Sequence, residues 1–285
     1  LDLLDFDFFK ILDSLTIARS RKHITTYYDT TDIGQFPKRN KPISIRSPLS
    51  SNPAINYTEI AEKLTLLNLS VYSPLNYLLP SKVALYASLY DKKVNMGASS
   101  FSQTDRESSI KILMRINMLK RIESSISAFR ITLSNIIGLV EGSINTIDSG
   151  IDETYSGVQM DVSNSDEFEW EPNWGDDQNV IGRKVKVHIA DMDRKKWRED
   201  LSEDLFILKG ILDLIEPVRG DDDLKLINLK NLIQDKVQSP VNPENKKVII
   251  FTAFADTANY LYQELQPYFE NKFSLNTALI TGSKR

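Results

Sequence analysis

The sequence contains no cysteine, and only two of its 285 residues are histidine. Without cysteine the chain has no disulfide bonds, thiolate zinc sites or cysteine nucleophiles, which suits a reducing, cytoplasmic location. Only His23 and His188 could act as an imidazole ligand or base. With so few histidines, a metal site and a Ser-His-Asp triad are both disfavoured. Because no apolar run approaches about 18 residues, the sequence also predicts no membrane span.

The usual enzyme signatures are missing as well. The chain has no Gly-x-x-x-x-Gly-Lys-Ser/Thr loop, no Gly-x-Gly-x-x-Gly, no His-Glu-x-x-His and no Gly-x-Ser-x-Gly. Residues 281–284 carry the final letters of a phosphate loop, but Ala278 stands close to the place where its first glycine is needed. We therefore expect no catalytic residue and no metal site in this chain.

Composition and charge indicate a globular protein with unevenly placed charges. The chain is 41% hydrophobic and 26% charged, with a formal net charge of -4, and its length suits about two domains. Region 111–130 has five basic residues and one acidic residue, and region 183–198 has seven basic and two acidic. Region 152–177 has nine acidic residues and no basic one. Local basic patches of this kind can bind nucleic acid although the whole chain is mildly acidic.

Several segments have the spacing and the start signals of helices. Asn56, followed by Glu59 three residues later, predicts a capped helix, and Pro80 is suited to the first turn of another. Apolar residues at intervals of three and four predict two more helices, at 201–215 and 226–237.

The strongest periodicity predicts one long helix. Apolar residues step by three or four from 108 to 147, which predicts an unbroken amphipathic helix of about 35 to 40 residues. The residues of this predicted apolar stripe are Ile112, Ile116, Leu119, Ile122, Ile126, Phe129, Leu133, Ile136 and Val140. The acidic region that follows, 149–182, has no period and predicts a loop.

The pattern changes after Pro243. Residues 246–251 form a continuous apolar run that is typical of a strand buried on both faces, and residues 275–280 predict a second strand. Apolar spacing between them predicts a helix, so this segment is expected to be one β-α-β crossover. Two parallel strands cannot bury both of their faces, so we expect the α/β domain to be incomplete in this chain.

Three segments resemble a known family in the family's own order. Residues 17–24 (IARSRKHI) followed by 36–39 (FPKR) resemble the end of the first motor lobe of SWI/SNF-like translocases. Residues 119–125 (LKRIESS) with 128–130 (AFR) resemble a helix of large bacterial helicases of this type, several of which carry a phospholipase D-like domain. Residues 247–258 (KVIIFTAFADTA) resemble the start of the second RecA-like lobe.

The resemblance implies a mostly α-helical internal fragment of a DNA translocase or helicase. Its parts would be the end of the first lobe and a linker at 1–50, a helical inter-lobe insertion at 51–243, and the first β-α-β unit of the second lobe at 244–285. The family's ATP-binding motifs have no counterpart here, so the chain alone is expected to be inactive. ATP and Mg²⁺ are implied as cofactors, and double-stranded DNA as partner, only for the full-length protein.

The same comparison suggests which residues contact DNA or the other lobe. Asp256 would be an inter-lobe contact or a helix cap. The candidate nucleic-acid contacts are Arg19, Arg21, Lys22, Arg115, Lys120, Arg121, Arg130 and Thr252. For the arginine and lysine residues among them, an exposed polar surface without a partner is the alternative interpretation. Two other functions remain open: a non-catalytic helical interaction module, and a small-ligand site at the turn 251–256.

Overall fold

The computed structural model describes residues 21, 24, 25, 29, 31, 36, 40–93, 100–149, 154–156 and 186–282, and the account below concerns these residues. The chain divides into two compact units. One comprises Leu1–Ile45 and Gln234–Lys247, and the other comprises Arg46–Ile233 and Val248–Arg285. Arg19 and Lys22 lie outside the described residues, as does most of the predicted acidic loop.

The described fold is mostly helical, as the sequence predicts. The α-helices are α1 (Tyr57–Thr65), α2 (Pro80–Tyr90), α3 (Gln103–Ser124), α4 (Ile126–Asp148), α5 (Arg194–Ile215), α6 (Leu224–Gln238) and α7 (Ala255–Phe273). Short 3₁₀ turns occupy Ser70–Tyr72, Pro74–Tyr77 and Ile189–Asp191. The strands are β1 (Lys92–Lys93), β2 (Ser100–Phe101), β3 (Thr154–Ser156) and β4 (Lys186–His188), which pair antiparallel as β1 with β2 and β3 with β4.

The local start signals predicted the early helices correctly. The Asn56 side chain accepts a hydrogen bond from the Glu59 backbone N–H at 2.9 Å, which caps α1. Pro80 is the first residue of α2, where its missing N–H costs nothing. The predicted helices at 201–215 and 226–237 are confirmed as parts of α5 and α6.

The single long helix predicted for 108–147 is wrong, because the chain breaks at Ser125. This residue has extended backbone angles (φ -158°, ψ 150°) and separates α3 from α4. Its N–H donates to the Arg121 carbonyl at 2.9 Å, while its Oγ accepts from the Ala128 N–H at 3.1 Å. One serine thus closes α3 and caps α4. Buried apolar residues occur on both sides of the break, because both helices bury a face in the same core.

The buried face of α3 also differs from the predicted one. Three residues of the predicted stripe form an exposed outer stripe, consisting of Ile112, Ile116 and Leu119 with 58%, 43% and 40% of their surface accessible. The buried inner stripe consists of Ile110, Met114, Met118 and Ile122. Helix α3 has apolar residues on two faces, and spacing alone does not show which of them is buried.

The core lies where α4 packs against α3 and α5. Trp197 on α5 and Phe129 on α4 are among its largest fully buried side chains. The Trp197 indole N–H donates to the Ser70 carbonyl at 3.2 Å, which joins α5 to the 3₁₀ turn at Ser70–Tyr72. Helix α7 packs against α4, and this contact positions the candidate site.

The predicted β-α-β crossover is seen only as its helix. Helix α7 is present, but neither 246–251 nor 275–280 forms a ladder with any described residue. A strand needs a hydrogen-bonded neighbour, and these two segments have none in the described part of the chain. Several of their apolar side chains are exposed, with Ile249, Phe251 and Ile280 each at least 78% accessible.

Candidate functional site at the α3–α4 junction

Arg121 is the centre of a buried polar cluster at the end of α3. Only 3% of its surface is accessible, and a guanidinium N–H donates to Asp256 in the first turn of α7. Its guanidinium carbon lies 4.7 Å from the centroid of the Phe254 ring, within the range of a cation–π contact. Arg121 therefore faces a carboxylate on one side and an aromatic ring on another.

Thr257 extends the cluster to the break between the two helices. Its hydroxyl oxygen lies 2.8 Å from Ser124 Oγ and 2.9 Å from Ser125 Oγ, and the residue is buried. Phe254, not Asp256, occupies the N-cap position of α7, and no side chain caps that end. Asp256 accordingly acts as a contact between helices, and its charge is also favourable in the first turn of α7.

Two further contacts hold α7 to the adjoining helix. The Tyr260 hydroxyl donates to Asp223 at 2.9 Å, and Asp223 also accepts from the Leu226 N–H at 3.0 Å at the start of α6. Burial, followed by the charge of Asp223, raises the pKa of the Tyr260 hydroxyl. Lys230 lies 3.4 Å from Glu264, which is the last of these polar contacts along α7.

Arg115 and Arg130 also bind within the protein. Arg115 donates to the Leu67 carbonyl, while Arg130 donates to the carbonyls of Ile215 and Val218 at 3.1 and 2.9 Å. The two hydrogen bonds from Arg130 satisfy carbonyl groups at the C-terminal end of α5. Burial lowers the pKa of Arg130, and nearby Glu216 opposes that shift. Arg121 is buried and Arg115 and Arg130 are partly buried, and each of them binds a group within the protein, while their contact with DNA stays a prediction.

The other described candidates are more accessible. Lys120 is exposed on α3, and Arg21 is exposed with its guanidinium 5.5 Å from the Phe36 ring centroid. Thr252 is half-buried, and its hydroxyl lies 3.3 Å from both the backbone nitrogen and the carbonyl oxygen of Phe254. Among the described candidates, Lys120 and Arg21 therefore present the most accessible charges.

Two buried acidic side chains were not among the residues predicted from the sequence. Asp204 on α5 accepts hydrogen bonds from three successive backbone N–H groups, at residues 68–70, and from the Ser70 hydroxyl. Glu107 on α3 accepts from the Leu75 N–H at 3.2 Å, and burial raises its pKa to about 8. A signal for Asp204 was present, because it lies at helical spacing between the apolar residues Leu201 and Leu208.

Within the described residues, no group of three or more potential metal ligands comes together. None of the described helices is long and apolar enough to cross a membrane. No protein-family model matches the chain, and no curated protein sequence or solved structure matches it significantly.

Proposed function

We propose that this chain is the coupling region of an ATP-dependent, SWI/SNF-like DNA translocase. Residues 1–50 would be the end of the first motor lobe, 51–243 the helical insertion, and 244–285 the start of the second RecA-like lobe. The observation that carries the proposal is a contact between two of the three segments with family resemblance.

Those two segments are 119–125 and 247–258. They are separated by more than a hundred residues, yet Arg121 pairs with Asp256, and Ser124 lies within hydrogen-bond distance of Thr257. A motor of this class must transmit lobe movement through the elements that connect its lobes. A direct polar contact between the insertion and the start of the second lobe is suited to that task.

The segments around α7 support the lobe assignment. Exposure alternates along 275–280, where Leu275, Thr277 and Leu279 are half-buried while the residues between them are exposed. This alternation is typical of a strand with one face covered. In a RecA-like lobe, 246–251 and 275–280 would be parallel strands, and neighbouring strands would cover their exposed apolar side chains.

The described residues do not fit ATP or Mg²⁺. No phosphate loop is present in the sequence, and no cluster of metal-ligating side chains occurs in the described part of the chain. We therefore assign no catalytic step to this chain and expect it to hydrolyse no ATP alone. Its proposed DNA contacts are now Lys120 and Arg21, with Arg19, Lys22 and Thr252 as further candidates.

The proposal is tested with the gene product that includes both motor lobes. We expect duplex DNA to stimulate its ATP hydrolysis. Lys120→Glu should weaken duplex binding severalfold and reduce the salt dependence by about one counterion, because one phosphate contact is lost. Lys209→Glu is the control, since Lys209 is also an exposed lysine and lies on α5. A gene product without DNA-stimulated ATPase activity would refute the proposal.

One observation favours the second candidate, a non-catalytic helical interaction module. The outer stripe of α3 exposes three apolar residues at helical spacing, which is the pattern of a helix that binds another helix. The two functions are separated by the gene sequence and by the ATPase assay. Absence of an upstream phosphate loop would favour the interaction module, whereas its presence together with DNA-stimulated hydrolysis would favour the motor.

A further inference from the structure

The contacts of α7 are divided between a polar half and an apolar half. Its buried apolar side chains, Leu265 and Phe269, both lie in the C-terminal half. The N-terminal half contributes Asp256, Thr257 and Tyr260, and each of these makes a polar contact to another helix or to the α3–α4 junction. Their spacing places them near one face of α7.

Because of Arg121, the polar contact of α7 is either formed completely or lost completely. Its only ion-pair partner among the described residues is Asp256, and its Nε has no hydrogen-bond partner there. A buried guanidinium that loses its carboxylate is strongly unfavourable, so Asp256 cannot leave while Arg121 remains buried. Because the Phe254 ring packs over the guanidinium, withdrawal of the start of α7 would expose Arg121 to water at the same time.

The same movement would reach the break between α3 and α4. Ser125 Oγ accepts from the Ala128 N–H and also lies 2.9 Å from Thr257 Oγ1. If Thr257 moved away, Ser125, which ends α3 and caps α4, would lose one of its hydrogen-bond partners. The state of α7 is therefore linked to the junction of two core helices.

We propose that the N-terminal half of α7 is a releasable latch on the α3–α4 junction. In the docked state Asp256 and Phe254 close over Arg121, and Thr257 joins Ser124 and Ser125. In the released state these groups separate together and become hydrated, while Leu265 and Phe269 keep the C-terminal half in place. The latch depends only on contacts within this chain, so it can fail while the proposed function stands.

Hydrogen exchange of the 285-residue chain, read by mass spectrometry, tests the latch. Asp256→Asn should speed exchange of the amides of 255–262 by about tenfold or more, because it removes the charge that Arg121 requires. The core amides of α4 and α5 should change by less than about twofold. Asp148→Asn is the matched control, since it disrupts an ion pair with Arg198 that is exposed on both sides. The control should leave α7 unchanged.

Two more variants separate a latch from a merely stabilising contact. Thr257→Val, a milder change, should also speed exchange at 255–262 while leaving the core protected. Replacing both Arg121 and Asp256 by Met should slow exchange of the amides of 255–262 below the rate in the unchanged chain. Two methionine side chains gain no favourable hydration when they separate, so the released state is no longer stabilised by water. The latch is overturned if α7 exchanges in step with α4 in the single variants, or if the double variant exchanges faster than the unchanged chain.

Discussion

Asp204→Asn is the most direct test of how the helical body is held together. Asp204 is buried on α5, where Oδ1 accepts from the N–H groups of Asn68 and Leu69, at 2.6 and 3.1 Å. Oδ2 accepts from the N–H and the hydroxyl of Ser70, at 2.8 and 2.6 Å. This carboxylate therefore fixes a tight loop in which Leu69 has a positive φ of 51°.

The cost of the substitution follows from the number of donors. Asparagine has nearly the same shape but only one acceptor oxygen, so its amide nitrogen must replace one carboxylate oxygen. If the amide replaces Oδ2, the Ser70 hydroxyl can turn and accept a hydrogen bond, but the Ser70 N–H stays unpaired. An unpaired buried donor costs about 1–3 kcal/mol, and loss of the charge weakens the remaining bonds. We expect Asp204→Asn to lower the free energy of unfolding by about 3 kcal/mol.

Urea unfolding followed by tryptophan fluorescence measures this loss. Replacement of Trp170 and Trp174 by Phe leaves Trp197, whose indole N–H donates to the Ser70 carbonyl beside the loop, as the reporter. The midpoint should fall while the slope stays constant. Asp213→Asn, at an exposed position on the same helix, is the control and should shift the midpoint by little. If both variants unfold alike, Asp204 does not hold the loop.

Three other experiments test separate parts of the fold. Burial raises the pKa of Glu107 to about 8 from 4.5, so its contribution to stability is complete below pH 4.5 and is lost as the pH rises through about 8. In urea titrations of the unchanged chain, the free energy of unfolding should fall by up to about 1.4 kcal/mol per pH unit across this window. Glu107→Gln should abolish this fall, and an unchanged dependence of the unfolding free energy on pH would contradict the assignment. Ser125→Ala should cost about 1–2 kcal/mol in thermal unfolding because the cap of α4 is lost, whereas exposed Ser134→Ala should cost far less. Phe251→Asp should leave the midpoint of urea unfolding nearly unchanged, since that ring is 90% exposed. Phe254→Asp should lower the midpoint clearly, because that ring is buried. If both variants lowered the midpoint equally, residue 251 would be buried in solution.

Local signals in the sequence gave reliable predictions, because they depend on residues close in the chain. The Asn56 cap and the Pro80 start need only a few neighbouring residues, and both appear in the structure. The break at Ser125 was missed for the opposite reason. Serine is compatible with a helix interior as well as with a cap, and apolar spacing on both sides favoured continuation. The contact with Thr257 that accompanies the break comes from a residue 132 positions away.

The predicted apolar stripe of α3 does not show the side on which Arg121 lies. The predicted stripe includes Ile112, Ile116 and Leu119, which puts Arg121 on the polar side of α3. The structure exposes these three residues, although Ile122 of the same stripe is buried, and Arg121 lies inside, paired with Asp256 and 3% exposed. No periodicity within α3 could reveal a carboxylate supplied by a helix so distant in the chain. Lys120, its neighbour in the sequence, is exposed and stays a candidate DNA contact.

The two apolar faces of α3 raise the question of what chooses between them. The inner and outer stripes lie on roughly opposite sides of the helix, at about 100° per residue, so half a turn of α3 about its axis would exchange them. Hydrophobic burial alone distinguishes them weakly, because both consist of large apolar side chains. Only the observed rotation brings Glu107 to the Leu75 N–H and Arg121 to Asp256. We infer that these costly buried polar groups select the rotation of α3, and that the outer stripe is exposed because it lacks such partners.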